Sequence, residues 1–433
     1  MGNAPPEIRA VKGFADLFEP WSALFTRMED AARRVFGAYG YQEARLPLLE
    51  YADLFSRAIG EETDVVRKEM FTFPDRGGRL VTLRPEATAG VLRACLENGL
   101  HKRESQSKIF CCGPMFRYER PQKGRMRQFH QLDCEWLGAA EPQADAELIL
   151  MLLHFLEELN IRDLCLELNT LGCPVCRPSY MRALGDFLRA IPPEEFCENC
   201  RRRVMLNPLR VLDCKEAACQ ALTREAPRIP DHVCPECAGH FAAVLDLLDR
   251  HQVACTLNPR LVRGLDYYTR TAFELLSSSI GAQSAVAGGG RYDGLATQLG
   301  GPDIPGAGFA CGLERLALLM AGADREKPRP DFFIAAPGAA GTALSLAQIL
   351  RRAGLRGESA FSGASLKSQM RQAARSRARF CLILGEEELA GDAVSLRDMD
   401  TAEQRLLSQA DLPAWALALR SENGAAWPAR DIS

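Results

Sequence analysis

The sequence predicts a multidomain α+β protein: a sheet-based region first, then a cysteine-rich insertion, then a C-terminal α/β unit. Three observations carry that prediction. Residues 108–137 read as a long β-hairpin with an arginine-rich tip. Eight of the sixteen cysteines fall between Cys173 and Cys237. Beyond residue 330, strand and helix signals alternate, the pattern of a parallel sheet wound with helices.

With 433 residues, 47% apolar and 25% charged, the chain is long enough for two or three domains with real cores. Net charge is −3, so contact with nucleic acid must come from local basic patches rather than bulk charge. The run MGNAPPEIRAVKGF has no apolar core of signal-peptide type, and no stretch approaches a membrane span. A cytoplasmic location without membrane contact is expected. The sequence contains neither G-x-x-x-x-G-K-[ST] nor G-x-G-x-x-G, which excludes the common phosphate-cradling loops.

In the hairpin, residues 108–119 lead in and 127–137 lead out, with Pro121, Lys123 and Gly124 turning the chain. Side chains alternate along a strand, so Arg127, Phe129, Gln131, Asp133 and Glu135 share one face. Gln128, His130, Leu132, Cys134 and Trp136 share the other, largely apolar face, where His130 reads as core. A row of arginine, amide and carboxylate packs poorly and suits a polar small molecule bearing an ammonium group. Arg117 adds a fixed cation whose planar fork can grip phosphate. The same spacing also describes a solvated hairpin with scattered charge.

Ahead of the hairpin, Trp21, Leu24, Phe25, Met28, Ala32, Val35 and Phe36 repeat at helical spacing, closed by Gly37 and Gly40. YQEARLPLLE (41–50) reads as a strand interrupted by Pro47. A strand over 80–83 runs into a helix over 86–98. Glu86 and Thr88 at the break suit an amino-acid ammonium group and equally suit a helix cap. A helix over 143–159 and a strand over 163–169 follow the hairpin.

Past the insertion, LNPRLVRGLDYYTRTAFELL (257–276) places Arg263 and Gly264 ahead of a strand rich in Tyr267, Tyr268, Thr269 and Phe273. A buried tyrosine there bonds a ligand or a backbone group. AGGGRYDGL (287–295) lets backbone pass close to a ligand, or simply turns. GAGFACGLERLALLM (306–320) ends a strand in glycines and starts an apolar helix through Leu313, Leu316, Leu318 and Leu319. Arg315 in its first turn opposes the dipole unless an anion, or an acid such as Glu314, compensates. Residues 321–330 form a polar linker. Strands over 331–336, near Gly357, over 380–385 and over 393–399 then alternate with helices over 342–352 and 366–374. Lys367, Arg371 and Arg375 share one helical face. The last dozen residues read as a frayed tail.

In the insertion, Cys173 with Cys176, Cys197 with Cys200 and Cys234 with Cys237 are C-x-x-C pairs, and Cys214 with Cys219 is a looser one. Such pairs begin tetrahedral zinc sites, and eight thiolates suffice for two structural ones. The spacing leaves two combinations in view: neighbouring pairs join, or alternate pairs cross. Unliganded, reduced cysteines are the alternative.

The hairpin run FRYERPQKGRMRQFHQLDCEWLG (116–138) resembles motif 2 of class II aminoacyl-tRNA synthetases, in the form found in histidyl-tRNA synthetases. The resemblance covers most of the chain. YQEARLPLLE resembles motif 1, which implies a homodimer. Residues 257–276 and 287–295 resemble the two histidine-specific signatures, and 306–320 resembles motif 3. NPLRVLD (207–213) matches inside the insertion, whereas many members lack the cysteines. Ala87 stands where the family usually has glycine.

The resemblance implies a catalytic domain over 1–167 and 254–325 on a mixed, mainly antiparallel sheet. It further implies an insertion over 168–253 and an anticodon-binding-like α/β domain over 328–422. The substrates implied are L-histidine, ATP with Mg2+, and tRNA(His). Arg117, Arg263 and Arg315 become the catalytic, ATP-binding residues: Arg263 at the α-phosphate, Arg315 at the γ-phosphate, and Arg117 completing the clamp. Glu86, Thr88, Gln131, Glu135, Tyr267 and Tyr268 would hold histidine, and Arg120, Gln122 and Arg125 would contact tRNA. Histidyl-adenylate forms first, and the histidyl group then passes to a terminal ribose hydroxyl. A competing reading comes from relatives that lost aminoacylation and regulate histidine biosynthesis or sense tRNA. The retained arginines, both signatures and the C-terminal domain favour the enzyme.

Overall fold

The computed structural model describes residues 7–122, 124–280, 285–320, 329–361 and 363–422. Lys123, most of the expected linker and the expected tail lie outside them. The strands are β1 Gln42–Glu43, β2 Leu49–Tyr51, β3 Phe71–Pro74, β4 Leu80–Leu83, β5 Ser107–Phe116, β6 Gln128–Leu137, β7 Leu164–Thr170 and β8 Cys255–Leu257. They continue as β9 Thr269–Ser277, β10 Ala285–Arg291, β11 Gly306–Gly312, β12 Phe332–Ala335, β13 Gly357–Ser359, β14 Phe380–Ile383, β15 Ala393–Asp398 and β16 Gln404–Ser408. The chain divides into two compact units, Met1–Arg325 and Glu326–Ser433.

The first unit is built on an eight-stranded sheet of order β1-β5-β6-β11-β10-β9-β7-β8. Only the outermost pairs, β1 with β5 and β7 with β8, are parallel, so the sheet is mixed and mainly antiparallel. The hairpin β5–β6 pairs from Phe116↔Gln128 to Ser107↔Leu137. One face of the sheet is core: Phe110, Leu132, Cys134, Phe273, Leu275, Phe309 and Cys311 pack against the helices Trp21–Ala38 and Pro142–Glu158 through Phe36 and Phe155. Burying an apolar stripe of that kind is the main favourable term, at roughly 25 cal/mol per Å². The first helix runs through Gly37, and the turn comes at Gly40, whose φ of +83° suits a residue without Cβ.

Pro47 does more than bend a strand. Residues 41–50 split into β1, which joins the large sheet, and β2, which joins a separate sheet of order β2-β4-β3. The insertion does not keep a core to itself. Tyr180, Leu184, Cys200, Val211 and Cys219 pack in one cluster with Phe55, Ile109, Met115 and Tyr267.

In the second unit the order is β13-β12-β14-β15-β16. Only β13, β12 and β14 run parallel; β15 and β16 return antiparallel, so the expected parallel sheet is mixed. Strand β16 and the helices Glu386–Ala390 and Leu412–Glu422 were not anticipated. β16 is short and largely exposed, and such a strand leaves no apolar period to read. Lys367, Arg371 and Arg375 are exposed on the helix Leu366–Ser376, which buries Gln369 and Ala373.

One ion pair joins the end of β10 to the helix Pro142–Glu158. The Arg291 guanidinium, fully buried, meets Asp145, whose carboxylate also meets His240 Nε2 at 3.3 Å. Burial pushes the Asp145 carboxyl up, but the His240 hydrogen bond and the Arg291 charge outweigh it and hold the carboxyl below its usual range. Removing one partner strands the other charge. Arg291→Met is expected to destabilise the first unit by about 3–5 kcal/mol, read from urea denaturation. Because the folded value is depressed, the stabilisation is present above roughly pH 4 and is lost as pH falls through that folded value. In Arg291→Met this acid-dependent component should shrink.

Candidate active site

On the face of the large sheet opposite the first core cluster, glycine and alanine surround a row of polar side chains. On β6, Glu135 pairs with Ile109 and Gly308, Asp133 with Cys111 and Ala310, and Gln131 with Gly113 and Gly312. Further across, Gly308 and Ala310 pair with Gly290 and Gly288, which pair in turn with Ala272 and Glu274. Directly opposed residues share a face. The result is a floor of glycine and alanine with polar side chains rising from it. A side chain in place of these glycines would crowd the polar groups beside them. A Cβ on Gly308 would lie 2.0 Å from Glu135 Oε2, one on Gly288 2.4 Å from Arg263 Nη1, and one on Gly113 2.5 Å from Arg84 Nη2.

The acids on this floor are buried. Glu135 accepts hydrogen bonds from Thr88 Oγ1 at 2.6 Å and from the Tyr292 hydroxyl. Burial pushes its carboxyl well up, against the pull of those two hydroxyls. Glu86 lies between β4 and the helix Thr88–Glu97 and accepts from the backbone N–H of Thr88 at 2.8 Å and of Ala89 at 2.9 Å. It thus makes the capping contacts that its position suggested, and its charge raises the Asp133 and Glu135 carboxyls. Asp133 is 1% exposed, and neither of its carboxylate oxygens has a hydrogen-bond partner among the described residues. Burial, then the Glu86 charge, push its carboxyl well up, against Arg84 and Arg117. Gln131 Oε1 and Arg263 Nε are likewise buried and unpartnered. Each such group costs about 1–3 kcal/mol. Several together around one polar face are the mark of a ligand-binding surface.

Three guanidiniums border that face. Arg117, just past β5, donates from Nε to Pro85 O at 2.9 Å and lies 5.4 Å from the Phe129 ring centre. Arg315, in the first turn of the helix Leu313–Met320, donates from Nε to Gly124 O at 3.3 Å and from Nη1 to Ala285 O. Burial, then the like charges of Arg125 and Arg117, pull its pKa down, while Glu119 and Glu274 oppose them. Glu314 does not neutralise it. Both its oxygens accept from the His130 N–H at 2.9 and 3.0 Å, and Oε1 meets His130 Nδ1 at 3.0 Å. His130 is therefore half-buried and bonded, not the core histidine its strand face suggested. Arg263, in the loop before β9, pairs with Glu274 and stands 5.3 Å from the centre of the Tyr268 ring. Tyr267 and Tyr268 are buried with ring centres 4.6 Å apart, and Tyr267 meets Tyr292 at 5.8 Å. At the hairpin tip Arg120 and Gln122 are exposed, and Arg125 pairs with Glu119 at 2.9 Å.

The sequence reading left Asp133, Tyr292, Glu274 and Arg84 without a role. Period-two counting had put Asp133 on the right face. Tyr292 and Glu274 sit in runs already singled out, but what they touch depends on strand neighbours that spacing does not supply.

The cysteines form two groups, Cys173 with Cys176, Cys234 and Cys237, and Cys197 with Cys200, Cys214 and Cys219. This nests the inner pairs inside the outer ones. It is neither the neighbouring nor the crossed combination expected. The helix Pro235–Arg250 brings the last pair back beside the first. Within each group all sulfurs lie within 4.8 Å, with Cys173–Cys176 at 3.7 Å, and Cys173–Cys234, Cys176–Cys237 and Cys197–Cys214 each at 3.9 Å. Zn–S bonds of about 2.3 Å around a tetrahedron put sulfurs about 3.8 Å apart, so both groups fit such an ion. Burial pushes the Cys173 thiol up, yet the N–H groups of Cys176 and Val175 and the neighbouring thiols bring it down to about 7.

A family model described as Histidyl-tRNA synthetase matches residues 13–174 and 199–316, and one described as Anticodon binding domain matches 333–419. The histidine–tRNA ligase of Nitratidesulfovibrio vulgaris is 60% identical over 414 residues, 95% of this chain and 99% of that one. That of Oleidesulfovibrio alaskensis is 58% identical over 404 residues, 93% and 97% of the two chains. The solved structure of the apo histidyl-tRNA synthetase of S. aureus is similar with a TM-score of 0.79 at 32% identity, covering 95% of this chain and all of that one.

The glycine floor has a direct test. Gly288→Ala drives a methyl group into the Arg263 guanidinium and separates it from Glu274. Such overpacking should lower stability by about 1–3 kcal/mol in urea denaturation. An unchanged midpoint would mean that Arg263 has room to move aside.

Proposed function

The chain belongs to the histidyl-tRNA synthetase family, and we propose that the glycine-floored face carries out both half-reactions with the side chains that surround it. The protein is a class II aminoacyl-tRNA synthetase, a histidine–tRNA ligase that activates L-histidine with ATP and passes it to tRNA. Identity of 60% over 95% of the chain supports the ligase over a regulatory paralogue. The observation that carries the site assignment is the set of buried, unpartnered acceptors on one face, bordered by three guanidiniums.

Glu86, Thr88 and Gln131 take the histidine ammonium group, whose positive charge compensates carboxylates that burial otherwise disfavours. Glu135 accepts from the imidazole N–H, and Tyr268 bonds the other ring nitrogen, with Tyr267 packed behind it. Such a site rejects apolar isosteres because its buried acceptors would be left unpaired. ATP enters as its Mg2+ complex, so the ion is part of the substrate. Arg117 and Arg315 hold the outer phosphates, and Arg263 lies at the α-phosphate. The histidine carboxylate attacks phosphorus, a new P–O bond forms, and the bond to pyrophosphate breaks. Arg263 stabilises the charge that develops on the non-bridging oxygens; positioning and fixed charge do the remaining work. A ribose hydroxyl at the tRNA terminus then attacks the histidyl carbonyl and AMP leaves.

Arg120 and Gln122 are exposed at the hairpin tip and, with the half-buried Arg125, would meet the approaching tRNA terminus. The C-terminal anticodon-binding domain offers Lys367, Arg371 and Arg375 to the distal end of the tRNA. We assign 1–167 and 254–325 to the catalytic domain, 168–253 to the insertion and 328–422 to the anticodon domain. Leu49, Tyr51, Phe73 and Leu80 of the three-stranded sheet are exposed apolar residues, which supports pairing of this sheet with a second copy of the chain. No helix among the described residues is long and apolar enough to cross a membrane, and the assigned compartment is the cytoplasm. The two cysteine groups hold structural zinc, one ion each.

ATP–pyrophosphate exchange run with each amino acid should proceed with histidine alone; exchange with another amino acid, or with none, overturns the assignment. Arg263→Ala should slow that exchange by about 10²- to 10³-fold while ATP affinity changes only a few-fold. Equal loss in rate and affinity would remove Arg263 from the reacting phosphate. Elemental analysis should return two zinc ions per chain, and chelation under reducing conditions should lower the melting temperature. A metal-free protein of unchanged stability would leave eight ordinary thiols.

A further inference from the structure

The loop of residues 258–268 carries Arg263, Tyr267 and Tyr268 but contains no helix or strand. It is gripped from two sides, and each grip comes from side chains set beside one cysteine group. Between Cys200 and Cys214, Asn207 Nδ2 donates to both Asp266 oxygens at 3.2 and 3.1 Å, and Arg210 Nη1 donates to Arg263 O at 2.9 Å. Arg260 reaches into the same knot, donating to Thr223 O at 2.7 Å, while Thr223 Oγ1 donates to Cys219 O at 2.8 Å. On the other side Arg177 directly follows Cys176. Its N–H donates to Cys173 O at 2.9 Å, its Nε to Leu171 O at 3.1 Å and its Nη2 to Tyr268 O. Arg270 adds a bond to Glu236, which lies between Cys234 and Cys237. Away from the cysteine groups the loop is also tied at Leu261 O by Asn169 at 2.9 Å, at the Asp266 N–H by Ile59 O at 3.2 Å, at Asn258 by Leu168 O and Glu167, and at the Arg263 side chain by Glu274, but at neither the Arg263 nor the Tyr268 carbonyl.

We propose that Arg210 and Arg177 are positioning residues for activation: the inner cysteine knot sets Arg263 through Arg210, and the outer knot sets Tyr268 through Arg177. The proposal rests on the function assigned above. An irregular loop belongs to the low-stability part of a fold and opens locally unless something holds it. A catalytic group displaced by about 1 Å loses on the order of 10²-fold in rate. Four thiolates on an ion close the segments that bear Arg210 and Arg177, so those arginines meet the loop already ordered. Division of labour follows from what each arginine touches. The Arg263 carbonyl belongs to the group that acts on the transition state, and the Tyr268 carbonyl to the group that bonds the imidazole.

The test uses the full-length, metal-loaded protein. Arg177→Met should raise KM for histidine on the order of tenfold with kcat of exchange within about twofold. Arg210→Met should lower kcat on the order of tenfold with KM for histidine within about twofold. Arg177→Lys, which keeps one donor for Tyr268 O, should recover part of the lost affinity. Independently of activity, chelating the metal under reducing conditions should speed amide exchange over 261–270 before the hairpin 107–137 responds. Equal changes of both constants in both variants, wild-type constants in both, or exchange over 261–270 that ignores the metal would overturn the proposal. Failure of the functional assignment is separable, because the unaltered protein would then show no histidine-dependent exchange at all.

Discussion

A polar pocket can be cut into a β-sheet only where neighbouring strands give up their side chains. Here β5, β11 and β10 make that sacrifice, with Gly113, Gly308, Gly312, Gly288 and Gly290 lying level with Gln131, Asp133 and Glu135 on β6 and Glu274 on β9. Glycine weakens a strand, since it packs nothing and has more freedom to lose. The opposite face offsets the loss. Phe110, Phe273, Phe309, Leu132 and Leu275 pack there against two long helices. One sheet thus divides its two tasks by face, and alternation along each strand keeps them apart.

Electrostatics completes the arrangement. Burial pushes Asp133 and Glu135 well above the usual carboxylate range; the Glu86 charge adds to the push on Asp133, and the Asp133 and Glu86 charges add to that on Glu135. Burial and two like charges likewise lower Arg315. The buried Asp133 and Glu135 carboxyls and the buried Arg315 guanidinium are each disfavoured as charges without a counter-charge. In the assignment proposed above, histidine brings an ammonium group and ring N–H to the first, and ATP brings phosphates to the second. Such charge arranged in advance costs no reorganisation when the reaction occurs.

The insertion is tied into this site rather than appended to it. It shares a core with the catalytic sheet, and its nested thiols flank the loop that presents Arg263 and Tyr268. Nesting places the last pair, Cys234 and Cys237, beside the first. The long helix Pro235–Arg250 begins at the last pair, and its packing against the helix Pro142–Glu158 brings that pair back to the first.

Alternation along 127–137 was enough to place Gln131, Asp133 and Glu135 on one polar face, because the period of a strand is local and independent of its neighbours. Motif by motif, the linear order of arginines, tyrosines and glycines was likewise enough to identify the family. Local chemistry also located the Glu86 cap and the hairpin turn. Everything that required knowing who lies beside whom waited for the tertiary structure. Strand order made Gly308 the neighbour of Glu135 and Gly288 the neighbour of Arg263. It turned His130 from a core residue into the partner of Glu314, sent the two halves of 41–50 into different sheets, and joined the first cysteine pair to the last. Those outcomes depend on contacts between residues far apart in the chain, and side-chain spacing along the backbone carries no information about them.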